Sequence, residues 1–290
     1  MFHVKHWERE KMERFNAGLK QLNKSEIRRY AGLHNQPFRP ELTDEAADLA
    51  LLLSQPQGVW QEYIYHADSG ELEKDDGQSY NSAKMSPTPL SGGCFMEQTS
   101  GGHIPPFVEM PTKEENASHF FDSGRYQLTG QSVRRHLQKA ARVVVLAVTI
   151  GEAVENEISR RFAAGDYSLA LLLDAAATTA VEQTADNLER ALALRAGANG
   201  FALTARFSPG YGDWDLNAQT GILPLSGGDR IGISLTEGLM LLPRKSVTAV
   251  IGLVPKNAAA NPAKGQPCPE KKRPDCKNCP RLNCPIRSIS

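Results

Sequence analysis

The segment RVVVLAVTI at residues 142–150 is the clearest strand signal in the chain, because its β-branched run is typical of a strand buried on both faces. Farther along, GISLTEGLMLLPRKSVTAVIGL at residues 232–253 contains two apolar segments joined across Pro243, Arg244 and Lys245. Another apolar segment, at residues 201–207, precedes them. We therefore expect an antiparallel sheet built from strands near residues 143, 201, 233 and 247.

Helical patterns surround these strands. The longest covers residues 168–196, and its many alanines allow close packing against a sheet. A charged stretch of helical character at residues 1–35 and a second helix at residues 43–53 precede a strand at residues 59–65. The predicted fold class is α+β, with an N-terminal helical arm, a sheet packed with helices, and a C-terminal cysteine-rich tail.

Asp174, Thr178 and Glu182 recur at steps of four within the long helix and span an arc of about 80°. The two carboxylates therefore share one side of the helix. They could face a cationic or hydroxyl-bearing ligand, or they could form a solvated helix face. The spacing alone leaves both interpretations open.

Composition excludes a partner chosen by overall charge. Thirty-three Lys and Arg residues balance 33 Asp and Glu residues in the 290-residue chain, so no net field directs it to nucleic acid or a membrane. The longest apolar run, residues 143–148, is far shorter than the roughly 20 residues that span a bilayer, and the N-terminus lacks the apolar core of a signal peptide. We expect a soluble, cytoplasmic protein.

Shifts in composition divide the chain into four parts. Between residues 68 and 116, Ser, Gly, Pro, Glu and Lys interrupt every periodicity, which indicates a flexible insertion. After Pro255 the sequence loosens into a linker. We expect an N-terminal helical region with the first strand at 1–67, the insertion at 68–116, a core at 117–255, and the linker with its cysteine-rich tail at 256–290.

The segment RFSPGYGDW at residues 206–214 is a turn-rich loop built on Pro209, Gly210 and Gly212. Glycine lets a ligand approach the main chain, while the fork of Arg206 and the ring of Tyr211 can reach it from the side. Taken alone, Arg206 could also form a surface ion pair, and the Pro-Gly-Tyr-Gly sequence a plain turn.

The order of five motifs along the chain adds to this interpretation. They are AVTIG at 147–151, LLDAAATTAVE at 172–182, RFSPGYGDW at 206–214, LTEG at 235–238 and SVTAVIG at 246–252. Together these motifs resemble the S-adenosylmethionine-binding activation domain of cobalamin-dependent methionine synthase, and also the free-standing proteins of that family. The resemblance covers roughly residues 126–253, with a weaker echo in KSEIRRYAGL at 24–33.

The resemblance implies a bent sheet, an activation-domain-like core and a ligand site. In that family the arginine and the Pro-Gly-Tyr turn contact S-adenosylmethionine, and a helix glutamate is thought to face it. The matching residues here are Arg206, Pro209, Gly210, Tyr211 and Glu182, with Asp174 matching an aspartate eight residues before the glutamate.

The implied role is reductive reactivation in methionine biosynthesis. A cob(II)alamin gains one electron and then captures a methyl group from S-adenosylmethionine. The chain has no corrinoid-binding DxHxxG stretch, so the cobalamin is expected on a partner, either methionine synthase or a related corrinoid protein. Two departures from the synthase pattern are Gly212-Asp213-Trp214 and Val250-Ile251-Gly252, and the second weakens the expectation of ligand contacts from the last strand.

Four cysteines crowd the end of the chain, and one of their spacings is CxxC. Such a set can close around one metal, either zinc or an iron-sulfur cluster, and the spacing does not separate these from free, reducible thiols. The predicted ligands are Cys268, Cys276, Cys279 and Cys284.

Two functional hypotheses follow. The first is an accessory component that uses S-adenosylmethionine to reactivate a corrinoid methyltransferase, with an electron donor that the sequence does not identify. The second is a non-catalytic scaffold that binds S-adenosylmethionine or a metal. A zinc-knuckle module that binds nucleic acid is disfavoured, because the basic tail has no aromatic residue on which bases could stack.

Overall fold

The structure, a computed structural model, describes residues 13–16, 18–33, 39–75 and 124–256. Within these ranges the chain forms six α-helices and a seven-stranded antiparallel sheet, which confirms the α+β class. The strands of this sheet are β1 (Glu13–Phe15), β2 (Gln57–His66), β3 (Glu71–Lys74), β4 (Arg125–Gln127), β5 (Arg142–Thr149), β6 (Phe201–Leu203) and β9 (Ser246–Pro255). The strand order is β4-β3-β2-β5-β9-β6, and β1 pairs with the first residues of β2.

Strand β5 lies at the centre of the sheet, and every residue after Arg142 is buried. It pairs on one side with β2, Val59 opposite Ala147, and on the other with β9, Val145 opposite Val250. A strand that is covered on both faces has no polar face to alternate with its apolar one. This explains the unbroken apolar run from Val143 to Val148.

One face of the sheet is covered by a layer of helices. The helices of the chain are α1 (Lys24–Tyr30), α2 (Pro40–Leu53), α3 (Gln131–Leu137), α4 (Ala153–Ala163), α5 (Tyr167–Ala198) and α6 (Gln219–Ser226). Alternate β5 residues Val144, Leu146 and Val148 join a core that includes the buried alanines of α5. Small side chains let this helix approach the sheet closely, and residues of α1 and α2 complete the same core.

The opposite face is covered by α3, α6 and the loop that precedes α6. There Val143 and Val145 pack with Leu137, Ile222 and the fully buried ring of Trp214. The loop at residues 206–214 is therefore part of the packing of this face, and its position is coupled to the sheet.

Two strand assignments differ from the sequence-based expectation. The strand expected near residue 233 does not join the main sheet: β7 (Ser234–Leu235) pairs only with β8 (Leu241–Leu242), because the segment lies on the sheet and buries Ile233 against Val59 and Ala147. The strand expected over 201–207 is interrupted after Leu203, and Phe207 returns to pair with Val250 as an isolated bridge.

The boundary expected for the flexible insertion is also corrected, because Glu71–Lys74 forms β3 and pairs with both β2 and β4. The rest of the stretch 68–116 after Asp75 lies outside the described residues. The N-terminal arm contains α1 as expected, preceded by the short strand β1, which the charged sequence did not indicate.

Among the residues that the structure covers, no helix combines the length and apolar character needed to cross a membrane.

Candidate functional site

The candidate site lies where α5 passes the segment that joins β6 to α6. Arg206 lies in this segment, directly before Phe207, and the bridge between Phe207 and Val250 ties its backbone to the sheet. Its side chain is only 19% exposed and lies against three carboxylates of α5. Its guanidinium nitrogens are 2.6 Å from Asp186, 3.0 Å from Glu189 and 3.4 Å from Glu182.

A cavity of about 240 Å³ opens beside this cluster. Of the residues that the sequence predicted, Glu182, Arg206 and Tyr211 line it together. The ring of Tyr211 is 57% exposed, so one side of it is open to a bound molecule. The remaining lining residues are Glu189, Ala205, Ser208 and Val247.

Loop 206–214 owes its shape to two glycines. Gly210 and Gly212 have φ angles of 89° and 61°, which favour residues without a Cβ. The amide of Gly210 donates to the carbonyl of Trp214 at 2.7 Å and closes the loop on itself. Pro209 is buried and Gly210 is exposed, and neither lines the cavity. The structure therefore places these two residues beside the site.

Asp213 fastens the loop to the start of α3. Its carboxylate accepts hydrogen bonds from the backbone amides of Gln131, at 2.9 Å, and Ser132, at 2.8 Å. These bonds favour the ionised form and lower the pKa of Asp213, the Ser132 amide contributing most. The residue after it, Trp214, anchors the loop in the core. The departure Gly212-Asp213-Trp214 thus fixes the loop that carries Arg206 and Tyr211.

The electrostatics of the site are dominated by carboxylates. One guanidinium faces three carboxylates, which gives the cluster a formal charge of −2. Burial raises the pKa of Glu189, and it outweighs the opposing attraction of Arg206. The arrangement can hold a cation in the cavity beside the carboxylates, and the remaining donors of Arg206 can bind an acceptor group.

Asp174 lies apart from this cluster. Eight residues separate it from Glu182, about 12 Å along the helix axis. Its carboxylate pairs with Lys245 at 2.8 Å, and the same ammonium donates to the hydroxyl of Thr178 at 2.9 Å. The backbone amide of Lys245 in turn donates to Glu155 at 2.7 Å. Asp174 and Glu182 share a helix face, as predicted, but each has its own cationic partner.

Asp186 and Glu189 are site residues that the sequence interpretation missed. They follow Glu182 by four and seven residues, which keeps all three on one side of α5. Extending the period that linked Asp174, Thr178 and Glu182 by one further step would have reached Asp186. Nothing in the sequence alone indicates that both surround Arg206.

A second cavity, of about 370 Å³, lies between the C-terminal part of α5 and the sheet. Its charged groups are paired within the protein: Arg142 binds the carboxylates of Glu62 and Asp75, and the guanidinium of Arg195 lies 4.8 Å from the ring centre of Trp60. Because the positive and negative groups balance, this cavity offers no excess charge to a ligand.

The predicted metal ligands Cys268, Cys276, Cys279 and Cys284 lie outside the described residues. Within the described ranges, no group of three or more His, Cys, Asp or Glu side chains is arranged to hold a metal ion.

Comparisons with known proteins found similarity among solved structures only. No protein-family model and no curated protein matches the sequence. A crystal structure described as the MetH reactivation domain bound to AdoHcy is similar to this chain at 17% identity, with a TM-score of 0.47, over 84% of this chain and 79% of the other. At that identity and TM-score, the likeness transfers neither a site residue nor an activity to this chain.

Proposed function

We propose that this chain binds S-adenosylmethionine in the cleft between α5 and loop 206–214. The observation that carries the proposal is the meeting of Glu182, Arg206 and Tyr211 at one cavity, although they come from separate parts of the sequence. The sequence resemblance implied these three residues as ligand contacts.

The chemistry of the cleft suits the functional groups of this ligand. S-adenosylmethionine carries a carboxylate, an ammonium and a sulfonium. The guanidinium of Arg206 can donate to the carboxylate, since a planar fork matches two acceptor oxygens. The carboxylates of α5 and the open face of Tyr211 can attract the two cationic groups.

The outer parts of the proposed site are Pro209, Gly210 and Asp174. The Pro209-Gly210 turn shapes the loop edge against which the adenosyl group would lie. A ligand laid along α5 from Arg206 would approach the pair formed by Asp174 and Lys245, about two helical turns away.

We further propose that the bound ligand supplies a methyl group to cobalamin held by a partner, either methionine synthase or a related corrinoid methyltransferase. A one-electron donor first reduces the partner's cob(II)alamin. The electron pair of the reduced cobalt then forms the bond to the methyl carbon, and the pair of the broken C–S bond stays on sulfur, which leaves S-adenosylhomocysteine. This chain needs no nucleophile of its own: it holds the sulfonium and leaves its methyl group open to the corrin face.

Calorimetric titration of the full chain with S-adenosylmethionine tests the binding site. Tyr211→Ala is the preferred variant, because a side chain that is 57% exposed can be removed without opening the core. Tyr167→Ala is a matched control, since this tyrosine is 65% exposed at the opposite end of α5. We expect Tyr211→Ala and Arg206→Ala to weaken binding by roughly tenfold or more, with Tyr167→Ala unchanged. No heat of binding to the wild type would refute the ligand assignment.

Transfer is tested separately, with a partner synthase loaded with cob(II)alamin and a reductant. We expect methylcobalamin to form, as measured by absorbance, only when both this chain and S-adenosylmethionine are present. Binding without conversion would leave the scaffold function, in which the cleft holds the ligand and transfers nothing.

The tail proposal rests on cysteine spacing alone. We propose that Cys268, Cys276, Cys279 and Cys284 hold zinc or an iron-sulfur cluster. Elemental analysis of the purified chain, with its visible spectrum, separates zinc from iron and sulfide. A metal-free protein purified under reducing, chelator-free conditions would contradict it.

A further inference from the structure

We propose that Asp186 and Glu189 make the cleft selective for a positively charged ligand, so that it binds the sulfonium of S-adenosylmethionine more tightly than the neutral thioether of S-adenosylhomocysteine. This inference rests on the proposed function and adds to it two specificity-determining residues and a preference of the site.

The first observation is that Arg206 does not stand as a free cation in the cavity. Its Nη2 atom is 2.6 Å from Asp186, and its Nε atom is 3.0 Å from Glu189. These two residues offset the positive charge of Arg206 before any ligand arrives. Glu182, at 3.4 Å, adds a third negative charge. An entering molecule therefore meets an excess of negative charge.

The second observation is that this charge lines an actual cavity. Glu182 and Glu189 are both on its wall, opposite Ser208 and Tyr211 of the loop. Between 33% and 43% of each of the three carboxylate side chains is exposed, so they are screened only in part. Lys245, the residue before β9, pairs instead with Asp174 at 2.8 Å.

The two ligands differ by one charge at the sulfur. S-Adenosylmethionine has a net charge of +1 at neutral pH, whereas S-adenosylhomocysteine is a neutral zwitterion. A cleft with a charge of −2 attracts the first more strongly, and loss of the methyl cation removes the difference. The same carboxylates that favour the methyl donor therefore favour release of the product.

The experiment is calorimetric titration of the full chain with three ligands: S-adenosylmethionine, S-adenosylhomocysteine, and sinefungin, which carries an ammonium in place of the sulfonium. We expect the wild type to bind the two cationic ligands about tenfold or more tightly than the thioether. Asp186→Asn and Glu189→Gln should each lower that ratio by roughly threefold to tenfold. Added salt should weaken the cationic ligands more than the neutral one.

Glu157→Gln is the matched control, because Glu157 also pairs with arginines, Arg160 and Arg161, but lies on α4 outside the cleft. It changes the net charge of the protein equally and should leave the ratio unchanged. Thermal unfolding of each variant confirms that the fold is kept.

The outcomes distinguish a failure of the selectivity from a failure of the binding site. Equal affinity of the wild type for all three ligands, or a ratio that survives both substitutions, overturns the selectivity and leaves the binding site in place. Tighter binding of every ligand by Asp186→Asn would show instead that Asp186 competes with the ligand for Arg206, and also overturns it. A wild type that binds none of the three overturns the proposed function itself.

Discussion

Replacing Arg206 by methionine tests whether the cluster on α5 is formed as the structure shows. Methionine keeps the apolar stem and removes the guanidinium that three carboxylates share. Glu182, Asp186 and Glu189 lie four and three residues apart on one helix face, where like charges repel each other. We therefore expect the variant to unfold at a lower urea concentration than the wild type.

The size of the loss of stability follows from the solvent exposure of the three carboxylate side chains. The carboxylate side chains are 37%, 43% and 33% exposed, so each ion pair is a partly solvated one. Pairs of this kind contribute up to about 1 kcal/mol each. Loss of all three predicts a decrease of roughly 1–3 kcal/mol in the free energy of unfolding.

The assay is urea unfolding followed by circular dichroism at low and high salt. Because the cost comes from unscreened carboxylates, salt should restore part of the stability of Arg206→Met. Arg190→Met is the control: it removes an exposed arginine from the same helix, where Arg190 donates to Asn187 at 2.7 Å. An Arg206→Met protein as stable as the control, or one that salt destabilises further, would refute the reasoning.

Three further predictions concern the frame around the site. Gly252→Ala should lower the free energy of unfolding by about 1–3 kcal/mol in urea, because a Cβ there would lie 2.9 Å from the Cβ of Ala140; an unchanged midpoint would contradict this packing. Asp213→Ala removes the acceptor for the amides at the start of α3 and should lower the thermal midpoint by roughly 2–4 °C, whereas Asp213→Asn should recover part of the loss. Hydrogen bonds from Arg160 and Arg161 lower the pKa of Glu157 from 4.5 to about 2. The contribution of Glu157 to stability is therefore complete above the pKa of the unfolded chain and disappears as the pH falls towards 2. The difference in stability between wild type and Glu157→Gln should shrink over that interval and stay constant on the alkaline side.

The sequence predicted those elements in which burial requires a regular pattern of apolar residues. An apolar run flanked by polar residues predicted β5, and the alanine-rich period predicted α5 to within two residues at each end. Both elements lie in the same core, so apolar side chains are required at regular intervals over many residues.

The parts that it missed are set by single tertiary contacts. Helix α6 contains Gly221 and Pro224, which both disfavour a helix interior. Gly221 is there because a Cβ would lie 2.1 Å from the ring of Tyr126. Propensity could not indicate this helix, since the ring that requires the glycine comes almost a hundred residues earlier.

The site was predicted only in part, because tertiary contacts also determine which charged groups meet there. Arg206, Tyr211 and Glu182 were selected by motif, and the structure brings them to one cavity. That Asp174 pairs with Lys245 depends on where β9 begins relative to α5, which no local pattern specifies. The carboxylates around Arg206 likewise depend on how the loop crosses the helix.

Ligand affinity should also depend on pH through Glu189. Its pKa is raised, chiefly by burial, above the usual 4.5, although Arg206 opposes the shift and Asp186 adds to it. Protonation removes one of the three negative charges that face Arg206. Affinity for S-adenosylmethionine should therefore fall as the pH decreases from neutral towards the raised pKa of Glu189, while affinity for S-adenosylhomocysteine changes less. Glu189→Gln should flatten the profile for the cationic ligand, because the titrating group is gone. A profile that keeps its slope in this variant would assign the titration to another group, and one in which binding tightens on acidification would contradict the charge argument.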